Sequence, residues 1–428
     1  MRIFTEPDRK IWQQLCSRPQ LELEFLESTV RNILLRVKKS GDAALREFAK
    51  QYDGIELNTL EVSHEERIHA AQSVGAALAQ AIQLAASNIE KFHRTQLKQQ
   101  SPIETMPGVV CWRKAIPLRR VGIYIPGGTA PLFSTVLMLA IPARIAGCDE
   151  VILCTPPDKN GKVNPAILYA AELAGVSKIF KTGGAQAIAA LAYGTETIPA
   201  TDKIFGPGNQ YVTKAKEMVS REGISIDLPA GPSEVLVWAD DTANPAFAAA
   251  DLLSQAEHGT DSQVMLVCNQ NQTAEAILSA LEKQLETLPR KEIAEQALMN
   301  SRAIIFSRDE DALDFINSYA PEHLIINTRH AESKAGRIRN AGSVFVGPYS
   351  PEAAGDYASG TNHTLPTNGF ARTFGGVSTE SFIKYITFQQ ITREGIQNLG
   401  PAVMEMAQAE HLEGHARAIA IRLNDLQK

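Results

Sequence analysis

The sequence predicts an α/β protein with two open, mainly parallel sheets and helical extensions at both ends. Short apolar strands alternate with helical runs of about ten to fifteen residues, the pattern of βαβ units. Turns rich in Gly and Pro recur at the strand ends, and the alternation pauses near residues 224–233 before restarting, which separates one sheet from a second.

The elements follow in order. Leu21 to Tyr52 and Glu65 to Gln96 carry apolar residues at helical spacing between charges, with Gly41-Asp42 as punctuation. Val121 to Ile125 is an apolar strand, Pro126-Gly-Gly128 a turn, and Leu132 to Ala146 a helix ending at Gly147. The cycle continues through strand Val151–Cys154, helix Pro165–Leu173, strand Ser177–Phe180, helix Ala185–Tyr193, strand Lys203–Phe205 and helix Gln210–Ser220. Strands Val235–Trp238, Val264–Cys268, Ala303–Phe306, Leu324–Ile326 and Ser343–Val346 then form a second sheet, and from Ser381 onward the pattern reads as helical. The uncharged stretch Val121–Ala143 is broken by Pro126, Gly127, Gly128, Pro131 and Pro142, so it reads as strand, turn and helix and not as a membrane span. The N-terminus lacks the apolar core of a signal peptide, and a cytoplasmic protein is expected.

Composition narrows the chemistry. At 428 residues, 44% hydrophobic and 21% charged, the chain has material for two to three packed domains and is not a disordered one. A net charge of −6 gives no basic footprint for nucleic acid. The five cysteines are scattered without C-x-x-C, which removes a disulfide framework and a thiolate zinc knuckle and leaves nitrogen and oxygen as metal donors. Cys148 and Cys154 have no neighbouring base and read as small core residues, against thioester chemistry. Six of nine histidines lie beyond residue 250, among them His330 and His411, which read as surface residues.

Gln255 and His258 fall three residues apart at a helix end, about 60° apart on one face, a spacing that suits one shared ion and equally a capping histidine. Asp356 and His363 sit in a Gly-rich loop that demands neither, and His415 offers a further nitrogen. Glu322-His323 opens an apolar strand, as an acid–base pair or as a strand-edge pair in water. Pro126-Gly-Gly, Thr182-Gly-Gly-Ala-Gln186, Gly206-Pro-Gly-Asn209 and Ala230-Gly-Pro-Ser233 fall where open α/β sheets bind ligands, beyond strand carboxyl ends, although each alone is a tight turn. No G-x-G-x-x-G opens either sheet, and neither G-x-S-x-G nor H-E-x-x-H appears.

In these motifs the chain resembles the histidinol dehydrogenase family, end to end and in the same order: Tyr124-Ile-Pro-Gly-Gly, Gly183-Gly-Ala-Gln186, Phe205-Gly-Pro-Gly-Asn209, Ile226 through Gly259, Pro321-Glu-His-Leu, and Gly355-Asp-Tyr-Ala-Ser-Gly-Thr-Asn-His363. The resemblance implies two Rossmann-like domains and oxidation of L-histidinol to L-histidine through the aldehyde with two NAD⁺. It implies zinc, one per subunit, on Gln255, His258, Asp356 and His415, with catalysis by Glu322 and His323. NAD contacts map to Tyr124, Gln186 and Asn209, and substrate contacts to Ser233, His363 and Glu410 beside Gln255, His258, His323, Asp356 and His415. It further implies an intertwined homodimer whose C-terminal Glu410 and His415 reach the partner's site, with a break in the tail expected at Gly414.

The domains expected are an arm at 1–20, a discontinuous metal-bearing and catalytic domain at 21–122 and 233–377, an inserted NAD-binding domain at 123–232, and a tail at 378–428. The rival readings are a related dehydrogenase of another small alcohol such as a sulfonated diol, a hydrolase with N/O-bound zinc, and a non-catalytic metal module. Two Gly-rich sheets count against the hydrolase, and Glu322-His323 against the module.

Overall fold

The structure is a computed structural model, and it describes residues 1–19, 24–97, 101–127, 131–228 and 231–427. Leu21, Gly128 and Ala230, which belong to the expected first helix, first turn and fourth turn, lie outside the described residues.

Strands Arg120–Tyr124, Glu150–Thr155, Lys178–Lys181, Lys203–Phe205 and Ser225–Ile226 form one parallel sheet. Counted in chain order, their spatial order is 3-2-1-4-5. Strands Glu234–Ala239, Gln263–Cys268, Arg302–Ile305, His323–Asn327 and Ser343–Val346 repeat that order in a second parallel sheet. This is the doubly wound arrangement, with a switch point between the first and fourth strands of each sheet. Both sheets match the expected fold class.

Local signals explain why the elements stop where they do. The helix Phe133–Ala146 ends at Gly147 and Pro165–Ala174 at Gly175, each glycine taking a left-handed turn. Asn164 and Asn244 cap helices that begin with proline, whose missing N–H costs nothing in the first turn. Buried apolar side chains cover both faces of each sheet.

Four features depart from the sequence reading. Arg2–Thr5, expected as part of an arm, is a parallel edge strand beside Arg302–Ile305 in the second sheet. The helices Glu24–Phe48, His64–Ser73 and Ala76–Arg94 bury their apolar faces in the cores of the first sheet. Packing therefore groups most of 21–122 with 123–232, although Asn88 and His93 also meet Ala358 and Asn362. Ile383–Ile391, expected as helix, is a strand paired antiparallel with Val109–Pro117, which also pairs with Ile103–Met106. Its Ile-Lys-Tyr-Ile-Thr-Phe run is rich in β-branched and aromatic residues, while its partner lies far away in sequence, so no hairpin signal marks it. Finally, the break in the tail is at His411, with φ 60°, between helices Arg393–Ala409 and Glu413–Asp425, and Gly414 is helical.

Among the described residues no helix is long and apolar enough to cross a membrane. The expected strand–turn–helix division of 121–143 is seen in Arg120–Tyr124 and Phe133–Ala146.

Candidate active site

The helix Pro245–Ala256 runs back from the first strand of the second sheet and delivers Gln255 in its last turn, with His258 just beyond it. Gln255 is fully buried, and its Nε2 lies 3.2 Å from His258 Nδ1. His258 itself is exposed to solvent. The surrounding protein lowers its pKa, opposed by Asp356 and assisted by His323.

His323 is the first residue of its strand, in register with Val235. Its ring stacks near Phe345 and its Nδ1 lies 3.0 Å from the carbonyl of Glu234, so Nδ1 carries the proton and Nε2 the lone pair of the neutral ring. Glu322 is buried, and its Oε2 accepts the Glu234 N–H at 2.8 Å. Burial raises the Glu322 pKa to about 8, against the pull of His323. Burial works against a charged His323, but Glu352, Glu322 and Asp356 outweigh it and hold its pKa well above the usual imidazole value.

Asp356 and Glu352 share the short helix Glu352–Tyr357. Burial opposes ionisation of Asp356, yet His323, His363 and His258 together lower its pKa. Glu352 is 1% exposed, and burial pushes its carboxyl upward. The ligand atoms of His323, Glu352 and Asp356 lie within 4.8 Å of one another. Gln255 Oε1, His323 Nε2, Glu352 Oε2 and Asp356 Oδ1 are all buried without a hydrogen-bond partner among the described residues. His323 Nε2 and Asp356 Oδ1 are 3.4 Å apart. Orphaned buried oxygen and nitrogen atoms are costly, and the ligand atoms of His323, Glu352 and Asp356 are close enough together to be shared by one cation.

His363 donates through Nδ1 to the Asp356 carbonyl at 2.8 Å and places Nε2 3.0 Å from Thr135 Oγ1. Thr135 lies in the first turn of the helix that follows the first strand of the other sheet. The cluster thus lies between the amino edge of the second sheet and the carboxyl edge of the first. The carboxyl-edge rule holds only for the first sheet.

At that carboxyl edge a second group assembles. Tyr124 ends the first strand, and its buried hydroxyl accepts the Gly184 N–H at 3.1 Å. Gln186 is buried in the first turn of the helix that Gly184 opens. Asn209 caps the helix Gln210–Arg221, its Oδ1 accepting the N–H groups of Tyr211 and Val212.

The structure therefore brings Gln255, His258, Glu322, His323, Asp356 and His363 together, with Ser233 half-buried next to Glu234. It does not bring Glu410 or His415 to them: both are exposed on the C-terminal helix pair, which packs mainly on itself and on the Ile383–Ile391 strand. His330 and His411 are exposed as expected, both at left-handed turns. Cys154 is buried and its thiol is pushed far up by burial, and that of Cys148 rises to about 12, so neither is a ready thiolate.

Sequence reasoning missed Glu352, Glu234 and Arg18. The signal for Glu352 was its i,i+4 spacing from Asp356, two like charges on one helix face that repel unless something positive sits between them. Arg18 forms a two-pronged ion pair with Glu234, at 2.8 and 2.9 Å, and no sequence pattern links them.

The sequence model of the family described as histidinol dehydrogenase matches residues 16–423. The histidinol dehydrogenase of Bacteroides fragilis is 56% identical over 428 residues, all of both chains. That of Xylella fastidiosa is 53% identical over 92% of each chain. The crystal structure of histidinol dehydrogenase from Elizabethkingia anophelis superposes with a TM-score of 0.98 at 54% identity, covering 100% of this chain and 99% of that one. By sequence and by fold over its whole length, the chain belongs to the histidinol dehydrogenase family.

Proposed function

We infer how the site works in a chain that, as a member of this family, is an NAD-dependent oxidoreductase oxidising histidinol in histidine biosynthesis. The metal is zinc, held by Gln255, His258 and Asp356 and by His415 of the partner subunit. The unpartnered buried oxygens of Gln255 and Asp356 support a cation there. When bound, zinc anchors the imidazole and amino groups of the substrate, so the aldehyde is retained between the two oxidations.

The observation that carries the division of roles is the shared hold of Glu234 on Glu322 and His323. With Nδ1 occupied, His323 Nε2 takes the alcohol proton as hydride leaves the carbinol carbon for the first NAD⁺. Glu322, whose raised pKa makes its ionised form a stronger base, then deprotonates the water that attacks the aldehyde carbon. As hydroxide adds, His323 returns its proton to the former aldehyde oxygen. The freed Nε2 then takes a hydroxyl proton of the hydrate as the second hydride leaves for the second NAD⁺, giving the carboxylic acid, which ionises to the product carboxylate.

Tyr124, Gln186 and Asn209 receive the NAD⁺ at the carboxyl edge of the first sheet. Ser233, His363 and Glu410 of the partner subunit contact the substrate. The same reading takes the chain as a cytoplasmic homodimer with sites shared between subunits. Product counting tests it: two NADH and one histidine are expected per histidinol. One NADH with free aldehyde would overturn it.

A further inference from the structure

Gly206 directly follows the fourth strand of the first sheet, in a conformation that only glycine tolerates there. Its φ is 126°, and a Cβ on it would lie 2.0 Å from the carbonyl oxygen of Tyr124. Both of its peptide groups are taken by buried charges. Its N–H donates to Asp227 Oδ2 at 2.8 Å, and its carbonyl accepts from Lys216 Nζ at 2.9 Å. Lys216 and Asp227 also pair with each other, with side chains only 5% and 3% exposed. Lys216 comes from the helix Gln210–Arg221, and Asp227 follows the strand Ser225–Ile226.

A buried ion pair is a weak source of stability, since apolar residues of similar volume often do as well. Apolar residues here would leave the N–H and carbonyl of Gly206 unsatisfied in the protein interior. What the pair does is fix the two peptide groups on either side of Gly206. Three residues on, Asn209 caps the helix that carries Lys216, so that turn is held from its start by the pair and at its end by its own cap. The turn lies beside Tyr124 at the switch point of the sheet, the place where this fold binds dinucleotides.

We propose that Lys216 and Asp227 are positioning residues for NAD⁺: they hold the Gly206–Asn209 turn in the shape that receives the cofactor, without touching it. The proposal rests on the assignment of Tyr124, Gln186 and Asn209 as cofactor contacts.

The test uses the full-length, metal-loaded enzyme and steady-state kinetics in both substrates. In Lys216→Met/Asp227→Asn, which keeps an acceptor for Gly206 and leaves no unpaired charge, KM for NAD⁺ should rise at least tenfold. KM for histidinol should stay within twofold, and Lys216→Arg should keep KM for NAD⁺ within about threefold of wild type. Equal changes in both KM values, or no change in a folded double variant, overturn the proposal. If the double variant does not fold, Asp227→Asn alone is read by the same KM split. Hydrogen exchange on the wild type with NADH separates the two readings. Protection at Tyr124, Gln186 and Asn209 with an unaltered KM for NAD⁺ in the variants rejects only the positioning role. Absence of protection there rejects the cofactor site, and the positioning role with it.

Discussion

His323 donates its Nδ1–H to the main-chain carbonyl of Glu234 at 3.0 Å, while the main-chain N–H of Glu234 donates to Glu322 Oε2 at 2.8 Å. Two neighbouring side chains thus lean on the two peptide groups of one residue in the adjacent strand. The first contact fixes the tautomer of the imidazole, and the second fixes where the carboxyl points.

That arrangement separates the two roles. Glu322→Gln keeps shape and an acceptor for Glu234 but loses the base, so the second oxidation should slow by about 10²–10⁴-fold while the first changes far less. Rapid-quench single turnovers that follow aldehyde and NADH check it. Equal slowing of both steps would contradict the assignment.

The metal donors predict a second outcome. Treatment with a chelator should abolish NADH formation, and added Zn²⁺ should restore it. Asp356→Asn, which weakens the donor set at an atom without another partner, should lower bound metal below one per chain by elemental analysis. Full metal content in that variant would count against Asp356 as a ligand.

Asp251 gives a pH signature. Burial alone raises its carboxyl from 3.8 to about 7. Below pH 3.8 the group is protonated whether the chain is folded or not, so Asp251→Asn should be neutral there. Between pH 3.8 and 7 the unfolded chain releases a proton that the folded chain retains, so the wild type loses stability as pH rises. The variant should therefore melt higher than wild type at pH 8 and the gap should close towards pH 4, read by thermal denaturation of the metal-free protein.

Arg18 and Glu234 pair with side chains 7% and 0% exposed, and the guanidinium also lies 3.8 Å over the Tyr319 ring. Removing one partner strands the other charge, so Arg18→Met should destabilise the chain by about 3–5 kcal/mol in urea unfolding. A loss under 1 kcal/mol would mean that water reaches Glu234.

For the shared site, inactive His258→Asn and inactive His415→Asn chains mixed under subunit exchange should recover activity, because one site of each hybrid is unmutated. Demonstrated exchange with no recovery would place His415 outside the partner's site.

Most strands of the two parallel sheets were legible because they are short apolar runs followed closely by glycine, proline or asparagine, signals that act within a few residues; Arg2–Thr5 and the two-residue Ser225–Ile226 were not. The metal and catalytic candidates were legible as polar residues where the local pattern asks for none, as at Gln255 and Asp356. The antiparallel pairing of Ile383–Ile391 with Val109–Pro117 was not, because its stabilising contacts join segments far apart in the chain. Glu352 was hidden for a related reason. A carboxylate at the start of a helix is ordinary for solvent-facing positions, and only the tertiary fold reveals that this one is buried. The location of the cluster at an amino edge likewise depends on how the two sheets face each other, which no single segment encodes.

Arg18 gives the N-terminal arm a bearing on the chemistry. Its guanidinium braces the side chain of the same residue whose backbone holds the acid and the base. A protease cut near residue 18 would remove no group that meets histidinol, yet it would loosen the strand end on which Glu322 and His323 rest. Trimming the arm should therefore slow turnover before it unfolds the enzyme, and an affinity tag or fusion at this end is best separated from it by a flexible spacer.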